Sequence, residues 1–428
     1  MKDFITNMFN LEPRIIHDIE IISSDNAVFA VISLRKAEHP CPVCKSSSSK
    51  THSYRKRSIT HSILNGLDTT IVYNQRRYIC PLCGKVFPEK NPFAMPGRRI
   101  SKYTILRVMN MLKEPRITFA MAAKEASVSV TTAERIFDTH AGISSMPLPE
   151  ILCMDEVYAV KYHQRVYACV LADFKSSQVY DLLPDRKKYT LAKYFSAISK
   201  DARKAVKYVS MDMWDTYRDI ASVYLPQAKI CVDSFHVIAL INRAFTKVRI
   251  RVMNSFDRKS DEYYLMKKYM WLLNKSYREI PYDRRLYVPK YISDIGRKHI
   301  HARELVNMML EFDPELEVAY MLKEDYLDIN RNATEDDIDG RLDHYIKDLN
   351  TFSVPEFRTV AGSLSKWHNE IINSFDRVDG RRISNGPVES INSRIKLLKT
   401  SAAGYRNFDR FRKRVLYSLN KNSSIKFR

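Results

Sequence analysis

Two short cysteine pairs near the N-terminus constrain the fold of this chain more than any other feature. Cys41-Pro-Val-Cys44 and Cys80-Pro-Leu-Cys83 share one CPxC form. Each pair places two thiolates on a tight turn, and two pairs supply the four sulfur ligands that Zn²⁺ binds tetrahedrally. Gly84 follows the second pair, where such a turn commonly needs a glycine. We therefore predict a structural zinc site, because a thioredoxin-like redox motif would not require a second pair.

The other three cysteines, Cys153, Cys169 and Cys231, lie in apolar runs typical of strands, and we predict that they are core residues. Two tight pairs and three core thiols do not resemble a disulfide framework. The first residues, MKDFITNMFN, include an early acid and lack the apolar segment of a secretory signal. No apolar run approaches the roughly 20 residues that a membrane helix needs. These features predict a cytoplasmic protein without a membrane partner.

The charge balance of the chain is strongly basic. Lys and Arg number 70 against 49 Asp and Glu, which gives a formal net charge of +21. This excess creates a field that favours a polyanionic partner, and nucleic acid is the leading candidate. An anionic membrane is less favoured because no lipidation motif or amphipathic basic segment stands out. The alternative is that the charge serves solubility alone.

At about Ile151 the sequence pattern changes to that of an α/β fold. Three strand-like runs, ILCMDEVYAV, RVYACVLADF and QVYDLL, precede a helical stretch, LAKYFSAISKDARKAV. Two further strand-like runs, KYVSMDMW and KICVDSFHV, follow with an amphipathic segment between them. This order of strands and helices predicts an RNase H-like mixed sheet.

The predicted fold class is an α/β catalytic core with a large helical insertion, preceded by a zinc ribbon and a helix-turn-helix. The insertion is predicted because the sequence after the fifth strand is helical in period, dense in charge and without strand signals. The predicted segments are residues 1–95 (N-terminal strands and zinc-binding domain), 96–146 (helix-turn-helix), 147–237 (first part of the core), 238–373 (helical insertion) and 374–428 (final core helix with a glutamate, and basic tail).

Residues 117–140, ITFAMAAKEASVSVTTAERIFDTH, have the pattern of two short helices joined at residues 126–129. Ser129 or Thr131 is expected to cap the second helix. That helix would offer Thr131, Thr132 and Arg135 to a DNA major groove. The alternative is a helical hairpin that does not contact DNA, since many such hairpins share this pattern.

Three carboxylates occupy positions that suit metal binding. Asp155 ends the first predicted strand and Asp212 ends the fourth, and these strands lie side by side in an RNase H-like sheet. Glu389 lies on a helix beside its apolar stripe. Three carboxylates suit two Mg²⁺ (or Mn²⁺) ions, which would catalyse an in-line phosphoryl transfer. Glu156 and Asp215 lie next to the proposed ligands and remain alternatives.

Asp233 and His236 form a further compact cluster at the end of the fifth strand, in VDSFHV. The pair is a possible auxiliary site that orients a phosphate or protonates a leaving group. The alternative is a core histidine that is hydrogen-bonded to Asp233.

Several of these motifs together resemble a known family, the bacterial DDE transposases of the ISL3 group of insertion sequences. The resemblance covers nearly the whole chain and rests on the CPVC and CPLC pairs, CMDEV, VSMDMWDTYRD, LPQAKICVDSFHV and NGPVESINSRIKLLKTSAAGYRNFDRFRKRV. It implies a transposase that binds the terminal inverted repeats of its element and breaks and joins DNA strands with divalent metal. On matching positions the catalytic and magnesium-binding triad is Asp155, Asp212 and Glu389. The family also carries a helical insertion between the second acid and the glutamate.

The implied partner is double-stranded DNA, both the inverted-repeat ends and the target, with nucleoid association when bound. Synapsis of two ends asks for at least a homodimer. The main alternative is a catalytically silent DNA-binding regulator derived from a transposase, and a further one is a nuclease acting on RNA or branched DNA. The predicted DNA contacts are basic or hydroxyl side chains: Arg55, Lys56, Arg57, Arg76, Arg77, Thr131, Thr132, Arg135, Arg394, Lys396, Lys399 and Arg406.

Overall fold

The computed structural model describes residues 6, 7, 9–62, 67–162, 165–288, 299–352 and 354–427. The chain divides into two compact units. Unit one comprises Met1–Met146, Tyr158–Val166 and Asn392–Arg428, and unit two comprises Pro147–Val157 and Tyr167–Ile391. All twelve predicted DNA contacts belong to unit one, and all the predicted catalytic and auxiliary residues belong to unit two.

Unit one begins with a five-stranded sheet whose order is β1-β2-β6-β5, with β7 paired to β6. Buried and exposed residues alternate along β2 and β6, as expected for a sheet with one face on a core. The antiparallel pair β1 and β2 is the strand pair expected ahead of the cysteines. The strands are β1 (Ile16–Ser24), β2 (Ala27–Leu34), β3 (His39–Pro40), β4 (Ser47–Ser48), β5 (Thr51–Thr60), β6 (Asp68–Ile79) and β7 (Val86–Pro88).

Three helices and a short strand follow in unit one: α1 (Lys102–Met111), α2 (Phe119–Glu125), α3 (Val130–His140) and β8 (Ala141–Gly142). The side chains of Ser101, Thr118 and Ser129 cap the three helices by accepting hydrogen bonds from backbone N–H groups. Ser129 is therefore the cap of the second helix of the predicted hairpin. The apolar side of α3 packs into one core with α1 and α2.

Unit two is built on a five-stranded mixed sheet of order β11-β10-β9-β12-β13. The strands are β9 (Ile151–Tyr162), β10 (Arg165–Asp173), β11 (Val179–Leu183), β12 (Tyr208–Met211) and β13 (Lys229–Val232). β12 is parallel to both β9 and β13, so the first and fourth strands are neighbours, as the sequence predicted. The expectation that Asp155 ends β9 is wrong, because the strand continues to Tyr162.

Helices follow the strands in the predicted order: α4 (Lys188–Ser196), α5 (Lys200–Lys204) and α6 (Asp215–Tyr224). Leu191, Phe195, Tyr217 and Ile220 on these helices are buried in the same core as Leu152, Val209 and Val232 of the sheet. The loops that precede α4 and α6 therefore lie on a rigid support.

The next segment is largely helical and shares a continuous core with the sheet. Its elements are α7 (Ser234–Ser255), α8 (Asp261–Lys268), α9 (Met270–Leu273), β14 (Arg285–Tyr287), β15 (His299–His301), α10 (Ala302–Leu310), α11 (Pro314–Asn332), α12 (Ile338–Thr351), α13 (Pro355–Lys366), α14 (His368–Asn373), β16 (Arg377–Val378) and β17 (Arg381–Arg382). The small antiparallel pair β14–β15 corrects the expectation of a segment without strands. Across the described ranges, no helix is long and apolar enough to cross a membrane.

The chain ends with α15 (Gly386–Ser401), α16 (Phe408–Leu419) and β18 (Ser424–Ile425), and β18 pairs with β8. Basic residues of α16 hold it within unit one. Arg410 forms ion pairs with Glu134 and Asp138 of α3, and the guanidinium of Arg414 is buried and donates to the carbonyl groups of Glu114 and Ile117. Part of the strongly basic tail therefore serves packing.

Candidate functional site

The four paired cysteines converge on one point of unit one. The Sγ atoms of Cys41 and Cys83 lie 3.6 Å apart, those of Cys44 and Cys80 lie 3.4 Å apart, and all four lie within 4.8 Å of one another. A tetrahedral zinc ion with Zn–S bonds of about 2.3 Å requires sulfur separations of about 3.8 Å. The donor set therefore fits a structural zinc ion.

The two cysteine turns have the same backbone geometry. Lys45 N–H donates to the carbonyl group of Cys41 and Gly84 N–H to that of Cys80, each at 3.0 Å. Lys45 and Gly84 have φ of 61° and 72°, in the left-handed region that glycine enters most easily. Each turn aims its N–H groups at the first sulfur of its pair. Although burial opposes ionisation, the N–H groups of Cys44 and Val43 lower the pKa of Cys41 to about 6 and so favour the thiolate that zinc binds.

Asp155 and Asp212 lie at the same level of adjacent strands. Ser210 of β12 is paired with Cys153 of β9, and the strands are parallel. Each aspartate comes two residues after this pair, so both side chains are on the same face of the sheet, where alternate residues of a strand point. The predicted neighbourhood of the two acids thus follows from the register of β9 and β12.

The electrostatics of Asp155 reflect other acids close by. Burial, together with the negative charges of Asp212, Asp233 and Glu389, raises the pKa of Asp155 to about 7, while His236 acts in the opposite direction. The backbone N–H of Glu156 donates to Asp155 Oδ1 at 2.7 Å. Burial and like charges both disfavour the ionised form of a carboxylate, and the two effects act together at Asp155.

The three predicted triad carboxylates do not themselves form one tight group. Among the described side chains, the groups with three or more ligand atoms within 4.8 Å of one another are the four cysteines and an exposed trio, Asp339, Asp343 and His368. Two catalytic metal ions lie about 4 Å apart, so the carboxylates that hold such a pair need not touch.

His236 and Asp233 adjoin the two aspartates from the start of α7. His236 Nε2 lies 2.8 Å from Asp212 Oδ1, so the histidine contacts the second predicted ligand rather than forming only a pair with Asp233. Burial lowers the pKa of His236, but the hydrogen bond to Asp212 and the negative charges of Asp212, Asp233 and Asp155 together outweigh it, and the net shift is upward. Asp233 is buried, and its Oδ1 accepts a hydrogen bond from Asn385 N–H at 3.3 Å.

Asn385 is a residue that the sequence analysis missed. It precedes α15, and its carbonyl group accepts from the N–H groups of Val388 and Glu389. Its Nδ2 donates at 3.1 Å to the carbonyl group of Met154, the residue before Asp155. Asn385 therefore ties the start of the helix that carries Glu389 to the strand that carries Asp155. An asparagine followed by Gly-Pro is a common start of a helix, and this signal would have singled it out.

The two neighbouring acids that the sequence left as alternatives are engaged with cations. Glu156 forms an ion pair with Arg186. Asp215 lies 2.9 Å from Arg218 and 2.7 Å from Lys366. These acids have positively charged partners from the chain itself.

The predicted DNA contacts fall into two groups. Arg76 donates to the carbonyl groups of Leu34 and Arg35 and pairs with Glu89, and Lys399 donates to the carbonyl group of Tyr158 and covers its ring. Both side chains thus have structural partners within unit one. The exposed members of the set are Arg55, Lys56, Arg77, Thr131, Arg135, Arg394, Lys396 and Arg406, and Arg57 and Thr132 are half-buried.

Comparison with known proteins gives two family matches. Residues 152–415 match a family model described as transposase, of the DDE and ISL3 type. Residues 37–83 match a model described as the zinc-finger of transposase IS204/IS1001/IS1096/IS1165. The second match includes all four clustered cysteines.

Two individual relatives that are named transposases agree with these matches. The chain is 26% identical over 259 residues to the transposase for insertion sequence element IS1557 of Mycobacterium tuberculosis, covering 59% of the chain and 56% of that protein. It is 25% identical over 273 residues to the transposase for insertion sequence element IS1001 of Bordetella parapertussis, covering 61% and 59%. A shorter match, 29% over 119 residues, is to a protein named ATP-dependent protease in Lactococcus lactis and covers 28% of the chain.

The alignments with the two transposases span little more than half of each relative. The transposase family model, in contrast, covers more than half of this chain and includes the whole sheet from Leu152 onward, helix α15 and the first two turns of α16. The chain belongs to the ISL3 family of transposases.

Proposed function

We propose that this protein is a DNA transposase that cuts and joins strands at the terminal inverted repeats of an insertion sequence. Asp155, Asp212 and Glu389 are its proposed catalytic residues. The observation that carries the proposal is the parallel register of β9 and β12, which sets Asp155 beside Asp212. The bonds of Asn385 to Met154 and to Glu389 N–H support the place of the third acid.

The sheet of unit two is proposed to be an RNase H-like core. Two features support this assignment. The leading strands lie in the order β11-β10-β9, with β10 and β11 antiparallel, and the parallel strands β12 and β13 extend the sheet. In this fold, the helical elements from residue 238 to 373 form an insertion. Residues 374–391 return to the core of unit two, and the basic tail that follows belongs to unit one.

Magnesium or manganese fits the donor set at the three acids. All the ligands offered are hard carboxylate oxygens, and a bound cation would offset the burial and the repulsion between acids that together raise the pKa of Asp155. Asn385 Oδ1 is also buried and, within the described residues, has no hydrogen-bond partner. When bound, two such ions activate the attacking oxygen and stabilise the leaving oxygen of a phosphoryl transfer.

The neighbouring side chains have supporting roles in this proposal. His236 holds the orientation of Asp212 through their 2.8 Å contact. Asp233 accepts from Asn385 N–H and so fixes the start of α15. Both residues are auxiliary, because His236 contacts the proposed ligand Asp212 and Asp233 contacts Asn385, and neither is one of the three proposed ligands.

DNA recognition is proposed for unit one. The zinc ribbon displays exposed Arg55, Lys56 and Arg77 on a small rigid fold, where they can meet phosphates. Helices α2 and α3 are proposed to be a helix-turn-helix with exposed Thr131 and Arg135 toward the major groove. Synapsis of two DNA ends would use a homodimer or a larger assembly.

The experiment is magnesium-dependent cleavage of DNA that contains the genomic sequences on either side of this reading frame, where the proposal expects the terminal inverted repeats. Asp212→Ala is expected to reduce cleavage at least about a hundredfold, because it removes a ligand of the metal that stabilises the transition state. Binding of the same DNA in EDTA should be unchanged.

Asp215→Ala is the matched control, because Asp215 is exposed and paired with Arg218 and Lys366. Its cleavage should stay near wild-type. Full cleavage by Asp212→Ala would remove Asp212 from the mechanism. DNA binding without any cleavage by the wild-type chain would favour the silent regulator.

A further inference from the structure

An arginine beside the carboxylates of unit two contacts two aromatic rings. Arg186 is in the loop between β11 and α4. Its guanidinium carbon is 5.1 Å from the centre of the Tyr167 ring and 4.6 Å from the centre of the Trp214 ring. The guanidinium also forms an ion pair with Glu156. These contacts hold the arginine in a defined position.

The same cluster is attached to both predicted metal ligands on the sheet. The backbone N–H of Trp214 donates to the carbonyl group of Asp212 at 2.7 Å. The rings of Trp214 and Tyr217 pack edge to face, with their centres 4.7 Å apart. The hydroxyl group of Tyr217 donates to the carbonyl group of Asp155 at 3.4 Å. Glu156 directly follows Asp155. The arginine and its two rings therefore adjoin the place where the scissile phosphate would lie.

The cluster presents both kinds of group that bind a nucleotide. The Tyr167 residue is 41% exposed and the Arg186 side chain is 36% exposed, so an aromatic side chain and the cation both reach solvent. A guanidinium has five N–H donors, and within the described chain the hydrogen bonds of Arg186 come from Nη1 alone. Bases stack on aromatic and guanidinium planes without sequence preference, and arginine binds phosphate.

We infer that Arg186, Tyr167 and Trp214 form a subsite that holds the DNA nucleotide next to the bond to be cut. The inference rests on the proposed function. In this subsite, a base stacks on the exposed Tyr167 ring, and Arg186 donates to the adjacent phosphate with the N–H groups that Glu156 does not use.

Another arginine of unit two that lies over an aromatic ring shows how a purely structural arginine differs. Arg203 lies 5.7 Å from the ring centre of Tyr224, at the other end of α6 from Trp214. Its Nε and Nη1 donate to the carbonyl groups of Ile198 and Tyr224. Backbone acceptors thus use the donors of Arg203, whereas the partner of Arg186 is a half-exposed carboxylate beside Asp155.

The first experiment locates the base. Full-length protein is irradiated in EDTA with a single-stranded oligothymidylate that carries one 5-iododeoxyuridine, and the linked residue is identified by mass spectrometry. Cross-linking to Tyr167 or Trp214 is expected. Cross-links confined to other residues would overturn the inference.

The second experiment measures affinity for the same oligonucleotide by fluorescence anisotropy. Arg186→Ala is expected to weaken binding about tenfold, the effect of losing a charge-assisted contact to phosphate, and Arg203→Ala should leave it unchanged. Tyr167→Leu, which keeps apolar volume but removes the ring, should also weaken binding and covers the case in which Arg186→Ala fails to fold. Equal affinities for the wild-type, Arg186→Ala and Tyr167→Leu proteins would overturn the inference.

The failure of this inference is distinguishable from failure of the proposed function. Wild-type cleavage of inverted-repeat DNA with no change of KM or affinity in Arg186→Ala would leave the function standing and remove the subsite. A cross-link at Tyr167 without any cleavage would leave the nucleotide-binding subsite standing and count against the proposed function.

Discussion

Buried charged residues in unit two depend on a few well-placed acceptors. Lys323 of α11 is fully buried, and its ammonium group donates at 2.8 Å to the carbonyl groups of both Leu273 and Lys275. It also lies 4.0 Å from the centre of the Tyr320 ring. Burial lowers the pKa of Lys323 to about 8. The charge is thus tolerated in the folded state at a cost that depends on pH.

Lys323 predicts a rise of stability at alkaline pH. Between about pH 8 and 10.5 the folded lysine is neutral while the unfolded lysine still binds a proton, so the unfolding free energy rises with pH. Relative to Lys323→Met, the wild-type protein should gain about 2–3 kcal/mol over this range. Denaturant unfolding at several pH values checks this. Lys347→Met, at an exposed lysine of α12, should show no such difference, and a flat Lys323 comparison would contradict the prediction.

Asn385 predicts a loss of activity out of proportion to its effect on stability. Asn385→Ala removes the bond from Nδ2 to Met154 and should lower the unfolding free energy by about 1–2 kcal/mol. Because that bond links the helix of Glu389 to the strand of Asp155, magnesium-dependent cleavage should also fall.

Asn373→Ala is the matched comparison for Asn385. Asn373 Nδ2 donates at 3.0 Å to the carbonyl group of Ile230 on β13, an equivalent amide bond away from the three acids. Its loss of stability should be similar, but cleavage should persist. Equal activity of the two variants under folding conditions would show that Asn385 has no positioning role.

At the scale of elements, helices with their own capping residues were predicted more completely than strands whose ends depend on a partner strand. The serine and threonine caps of α1, α2 and α3 stand where the sequence changes from turn to helical period. The length of β9 and the pair β14–β15 were not foreseen, because a strand extends as far as its partner allows and short strands carry weak patterns. Elements with their own capping residues are therefore more predictable than those defined by a partner.

We expect the folding of the zinc ribbon to depend on its metal. Cys83 is exposed, so Cys83→Ser changes little packing but removes one of four ligands. We expect loss of bound zinc, measured by mass spectrometry of the metal, and faster proteolysis of residues 37–83, because structural zinc supplies folding free energy. Cys231→Ala should keep its zinc, since Cys231 is a buried thiol of β13. Zinc retained by Cys83→Ser at the wild-type level would contradict the four-cysteine site.

At the scale of the whole molecule, the net charge of +21 is the property most relevant to a DNA partner. Some of these charges serve packing, such as Arg414 of α16 and Arg76 of β6. Many others are exposed on the ribbon and the helices of unit one. The electrostatic part of DNA affinity should therefore be large and independent of sequence.

This charge predicts a steep salt dependence of DNA binding. If about six phosphates are neutralised, affinity for non-specific duplex should fall about a thousandfold between about 50 and 200 mM salt. A titration of duplex DNA by anisotropy at several salt concentrations gives the slope. Replacing exposed Arg55 and Lys56 with alanine should reduce the slope by about two. A slope near zero would exclude phosphate contacts as the main source of affinity.

The sequence by itself determined the features that depend on residue type and spacing. Two CPxC pairs specify a four-sulfur site. The three candidate acids were identified by their positions in the strand-like runs CMDEV and VSMDMW and in the helical run NGPVES. Apolar period and capping residues located most helices. These features are readable because the relevant rules act within a few residues of chain.

The tertiary structure decided which polar groups have partners. Glu156 and Asp215 are paired with Arg186 and with Lys366, contacts that join residues 30 or 151 positions apart. Asn385 meets Met154 across 231 positions. Hydrogen bonds and ion pairs of this kind depend on distances set by the packing of sheet and helices, and no local pattern in the sequence encodes them.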